Sequence, residues 1–175
     1  MDDRRPTALH VSSIGRYSGL HWLSLFDNGT MTGAGAWPAA NRALYVPVYM
    51  PGPFVVARFW CANGAGLTDD RDMGLYDQSF TRLVSTGAVA AGSASVVQYA
   101  GVTDAKFGPG RYYLGMSVAG TTATFIRIAP ALLATLQQGG MYDEASAHPL
   151  PSAATPTTPD TAYIPLFGFT QSDSV

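Results

Sequence analysis

Between Ala43 and Val118 the chain alternates apolar and polar residues with a period of two, and nearly every interruption is a turn residue. In 43–50, Leu44, Val46, Val48 and Met50 share one face of an extended run and Tyr45 and Tyr49 the other. Pro47 lies inside that run and predicts a sheet edge, because proline cannot donate to a ladder. After Pro51-Gly52-Pro53, Val55, Ala57, Phe59 and Cys61 alternate with Phe54, Val56, Arg58 and Trp60. Both faces are largely apolar, which predicts a central strand with a second layer or another subunit over its outer side.

The stretch from Arg71 to Val118 carries the clearest grammar. Met73 and Leu75 are expected to face the core, Asp77-Gln78-Ser79 to turn into a strand over 80–85, and 96–99 to form a short strand after a Gly/Ala/Ser loop. Gly108-Pro109-Gly110 fits a type II turn, after which Tyr112, Leu114, Met116 and Val118 line one face. Thr122 to Ile128 makes a further strand. One helix is predicted, over 130–138, with proline in its first turn and Leu132, Leu133 and Leu136 on one side. Residues 146–160, rich in Pro, Ala and Thr, are expected to cross the surface in extended form before a closing strand from Tyr163 to Phe169.

These patterns predict an all-β protein, a jelly-roll-like antiparallel β-sandwich over 43–175 with one short helix. Residues 1–42 show no sustained period and are assigned to an extended N-terminal arm, whose aromatic anchors Trp22, Phe26 and Trp37 lie on a neighbouring surface or in a strand of the same domain. Asn28-Gly29 is a type I′ hairpin signal within it.

Composition sharpens the picture. Charged residues are 13% of the chain, against a usual share of about 25%, and Lys106 and Glu144 are the only lysine and glutamate. A net charge of −2 offers no basic field for nucleic acid or a membrane surface, and neither partner is expected. So neutral a surface points instead to cover by copies of the chain or by a larger assembly. Cys61, the one cysteine, excludes an intrachain disulfide, and the start Met1-Asp2-Asp3-Arg4-Arg5-Pro6 leads into no apolar signal region, so synthesis without export is expected.

No catalytic, cofactor or metal site is predicted. His10, His21 and His148 have no ligand spacing, and Asp69-Asp70-Arg71-Asp72 could offer oxygens to a cation but lacks the order and distal glutamate of a calcium loop; a solvated turn with Arg71 partly neutralising it is expected. Ser117 in Gly115-Met116-Ser117-Val118-Ala119 lies mid-strand, where a nucleophile elbow needs a strand entering a helix. Asp143 and Glu144 make a poor acid/base pair for a glycan hydrolase. The aromatic residues could build a sugar-binding platform if several face solvent together.

Taken in order, Ala40 to Pro47, Asp72 to Asp77, Arg82 to Gly87, Gly108 to Leu114, Thr121 to Phe125, Pro149-Leu150-Pro151 and Ala162 to Gly168 resemble a family of small virion structural proteins of tailed bacteriophages, from about residue 40 to the C-terminus. The resemblance implies a jelly-roll-like sandwich, commonly trimeric, placed on a capsid or tail. The function expected is a non-enzymatic capsid decoration protein on the virion surface, made in the host cytoplasm. Its partners are copies of itself, as a homotrimer, and the major capsid protein. Trp22, Phe26, Trp37, Tyr163, Phe167 and Phe169 are the expected assembly contacts. The alternative is a tail-tip or fibre-type module that recognises a host-surface glycan.

Overall fold

The computed structural model describes residues 30–129 and 133–171. Among these residues eleven strands run in chain order: β1 (Thr30–Ala36), β2 (Ala43–Met50), β3 (Phe54–Ala62), β4 (Arg71–Tyr76), β5 (Arg82–Ser85), β6 (Val97–Phe107), β7 (Gly110–Val118), β8 (Thr124–Ala129), β9 (Tyr142–Glu144), β10 (Ile164–Pro165) and β11 (Phe167–Gln171). A single turn and a half of helix, α1 (Leu133–Gln138), separates β8 from β9. The first turn expected for it, 130–132, lies outside the described residues.

One layer is a five-stranded sheet in the order β5-β4-β7-β2-β9, antiparallel at every pairing. The other is made of two three-stranded sheets, β1-β8-β10 and β11-β3-β6. The closing segment joins them: β10 pairs with β8, β11 with β3, and between them Leu166 donates to Ile126 O and accepts from Ala62 N. The fold is thus an all-β sandwich with its core between the layers. Leu44, Val46, Met73, Leu75, Leu114 and Met116 of the five-stranded sheet face Phe54, Phe59, Phe125 and Phe167 across it.

The alternation predicted for β2, β4 and β7 is realised. Elsewhere the structure corrects the reading. In β3 the pairing with β6 slips between Val56 and Arg58, so Phe54 and Val56 point inward before the bulge and Phe59 and Cys61 after it. An uninterrupted strand would have placed Phe54 and Phe59 on opposite faces; the extra residue that β3 carries against β11, between Val56 and Arg58, brings both into the core. β6 is eleven residues long rather than four. Gly110 is already the first residue of β7, opposite Met50, so Gly108-Pro109 carries the chain from one layer to the other instead of closing a hairpin. Pro47 stands in a strand with neighbours on both sides, but β9 reaches only Ala43–Tyr45, so the proline lies past its end.

The boundary of the arm also moves. β1 pairs with β8, and Trp37 lies in the core, edge-on to Phe125 and Tyr163 at 5.6 Å, with its indole N–H bonded to Arg42 O. Residues 30–42 therefore belong to the sandwich, because their backbone completes a sheet and their one tryptophan fills it.

Candidate functional site

The outer face of the five-stranded sheet carries Tyr45, Tyr76 and Tyr113, one on each of three adjacent strands. Tyr45 meets Tyr76 edge-on at 5.1 Å, and Phe80 stacks on Tyr113 at 4.4 Å. Gly115, between them in the ladder, is required for this: a Cβ there would lie 2.9 Å from Tyr76 and 3.3 Å from Tyr45. Ala147, Leu150 and Ala154 cover the rings. The Pro/Ala/Thr segment 146–160 is thus an extended strap over a hydrophobic surface, with each aromatic pair contributing about 0.5–1.5 kcal/mol beyond area burial.

Polar groups fix the strap. Asp72 is fully buried and accepts from Thr86 Oγ1 (3.1 Å) and Leu150 N (3.0 Å). Burial raises its pKa, opposed by those hydrogen bonds and by the charges of Arg82 and His148. Tyr76 donates to Pro151 O at 2.6 Å, Arg82 reaches Leu150 O, and Arg82 N–H donates to Ser152 O. Tyr45 donates to Glu144, which also accepts from Thr155 N and Oγ1. At the far end Arg42 is bonded to Asp143 (2.9 Å) and to Asp160. The hydrogen bond from Arg42 holds the Asp160 carboxyl down at about 2, whereas burial pushes Asp143 up.

Within this clasp Ser117 Oγ lies 3.0 Å from His148 Nδ1, with Asp72 opposite Ser117 in the β4/β7 ladder. Ser117 and His148 are thirty-one positions apart in the chain, and only the strap's path brings them together. Catalysis by this trio would need the carboxylate to orient the imidazole. Asp72 is instead bonded to Thr86 and Leu150 and not to His148, and Ser117 is fully buried. These bonds anchor the strap.

The acidic cluster is not the solvated turn expected, because Arg71 and Asp72 already belong to β4 and are fully buried. Asp69 accepts from Thr122 N and Ala123 N, both at 2.8 Å; Asp70 is exposed; Asp72 serves the strap; and Arg71 turns inward. Among the described residues no three His, Cys, Asp or Glu side chains converge as metal ligands, and no helix is long and apolar enough to cross a membrane.

The opposite outer face, on β11-β3-β6, has no strap over it among the described residues. Tyr99 (54% exposed) stands opposite Trp60 in the ladder, Val97 (47%) continues the apolar patch, and Arg58 lies 5.4 Å over the Tyr99 ring. Arg58 Nε donates to Thr170 Oγ1, and opposite Arg58 a Cβ on Gly101 would meet open space. β6 is the edge strand of its sheet.

Of the expected assembly contacts, Trp22 and Phe26 lie outside the described residues. Trp37, Tyr163, Phe167 and Phe169 are core side chains, at most 3% exposed, which corrects their assignment: the closing strand is interior to its layer and spends its aromatics there. Val97 and Tyr99 are the surface candidates that the sequence did not single out, since a four-residue strand gave no reason to separate their face from the core. Comparison with protein-family models, curated protein sequences and solved structures finds no match for this chain.

Proposed function

We propose that this chain is a non-enzymatic structural protein of a tailed-phage virion, a capsid decoration protein that works as a homo-oligomer against the major capsid protein. The order of its sequence motifs supports that reading. The observation that carries it is the unequal treatment of the two outer faces. One is sealed by the chain's own strap, and its titratable groups are spent on the seal; the other presents Val97 and Tyr99 on a long edge strand. An exposed apolar patch on an edge is where a sandwich meets a partner. Burial there contributes roughly 25 cal/mol per Å², multiplied over many copies. The test is co-sedimentation of the purified chain with undecorated capsids. Wild-type protein is expected to pellet and Val97→Asp/Tyr99→Ser to stay in solution with an unchanged melting temperature; equal pelleting would remove this face from the interaction.

A second reading rests on one observation, Arg58 over Tyr99 with Trp60 alongside: aromatic rings and a cation on an open face suit a host-surface glycan carrying acidic groups. Specific binding on a glycan array, lost in Trp60→Ala and accompanied by no affinity for capsids, would replace decoration by receptor binding.

A further inference from the structure

Arg71 opens β4 on the same side as Met73 and Leu75, so its side chain enters the space between the layers, and it is 0% exposed. Its Nη1 donates to Asn63 Oδ1 at 3.3 Å. Nε and Nη2 have no hydrogen-bond partner. These two N–H groups share one edge of the planar guanidinium and point the same way, the geometry that receives two oxygens of a carboxylate, nitrate or phosphate at once.

No side chain is hydrogen-bonded to this edge. Asn63 is fully engaged: Oδ1 takes Arg71 Nη1 and Cys61 Sγ, while Nδ2 donates to Ser93 O and Gln98 Oε1. The Cys61 thiol, pushed up to about 11 by burial, is no counter-anion at neutral pH. Asp69 is bound to Thr122 and Ala123, Asp72 points to the opposite face, and Asp70, exposed, favours the Arg71 charge through its field without being bonded to it. Burying a guanidinium with two of its donors unmet is unfavourable. The end of the sandwich around it is closed by the segment leading into β6, through Val89 against the Arg71 backbone and Val96 O against Asn63 N.

We propose that the Nε/Nη2 edge of Arg71 binds a small oxyanion, a carboxylate or inorganic ion with two oxygens side by side, which completes the core at this end of the fold. This inference goes beyond the assembly reading and stands independently of it.

The experiment is thermal melting of the full chain in nitrate, formate or phosphate, with chloride holding ionic strength constant. A saturable rise of several degrees is expected at about a hundredfold excess over Kd. Arg71→Lys keeps a charge but not the fork and is expected to abolish the rise. Should that variant fail to fold, Asn63→Asp supplies a carboxylate to the same guanidinium and is expected to reduce the oxyanion response at least tenfold in apparent affinity. Equal melting in all salts, an undiminished response in both variants, or a crystal grown in nitrate with only water at Nε and Nη2 would overturn the proposal.

Discussion

On the five-stranded sheet, Tyr45, Tyr76 and Tyr113 lie under residues 147–154, whereas on the other layer Tyr99 beside Trp60 stands in solvent. Residue type does not separate these faces, since both are aromatic and flanked by arginine. What separates them is where the chain returns. After β9 it runs back along the five-stranded sheet, pairing Thr157 with Asp143 and Ala153 with Thr81, and its carbonyls and amides find partners as it goes. Small residues make room: at Gly74 a Cβ would lie 2.8 Å from Val84 O and 3.2 Å from Leu150. The lesson is that an aromatic sheet face becomes core or contact surface according to whether a later segment has both the apolar side chains and the hydrogen-bond partners to stay on it.

The contrast can be broken most forcefully through the covered side. Tyr76→Ala removes a fully buried ring and its bond to Pro151 O and is expected to cost about 3–5 kcal/mol in denaturant melts. Phe59→Ala, in the core shared by both layers, is expected to cost a similar amount, about 3–5 kcal/mol, and a change near zero would put the β3 bulge in the wrong place. Asp72→Ala leaves the Leu150 N–H and the Thr86 hydroxyl without their acceptor and should cost about 1–3 kcal/mol, with faster amide exchange along 147–154 as the specific sign. On the open face, Tyr99→Ser should change stability by no more than about 0.5 kcal/mol while weakening capsid binding; a loss comparable to Tyr76→Ala would show that this face is covered too.

The smallest effect concerns pH. Asp160 is held at about 2 by Arg42, below the value near 4 of an unfolded aspartate, so its contribution to stability is present above about pH 4 and lost as pH falls through about 2. Asp72, raised by burial, acts in the opposite sense, binding its proton more tightly when folded, so acidification through it favours the fold. Amide exchange near Asp160 should therefore rise between pH 4 and 2 before that near Leu150, and Asp160→Asn should abolish the early step.

Much of this was legible in the chain. The period-two pattern of Leu44 to Met50, Met73 to Leu75 and Leu114 to Val118 dictated strands and their inward faces, because a residue's side on a strand follows from its parity alone. The turn residues and the scarcity of charge announced an all-β protein, and the extended character of 146–160 followed from its prolines. The bulge after Val56, the length of β6, the capture of Trp37 by the core and the meeting of Ser117 with His148 were not legible, since each depends on which strands become neighbours across long sequence separations. Arg71 shows the limit most plainly. Its position in the strand pattern sends it inward, but only packing decided that Asn63 would meet one side of the guanidinium and leave the other edge open, because hydrogen-bond partners for a buried charge are set by the fold around it and not by its neighbours in sequence.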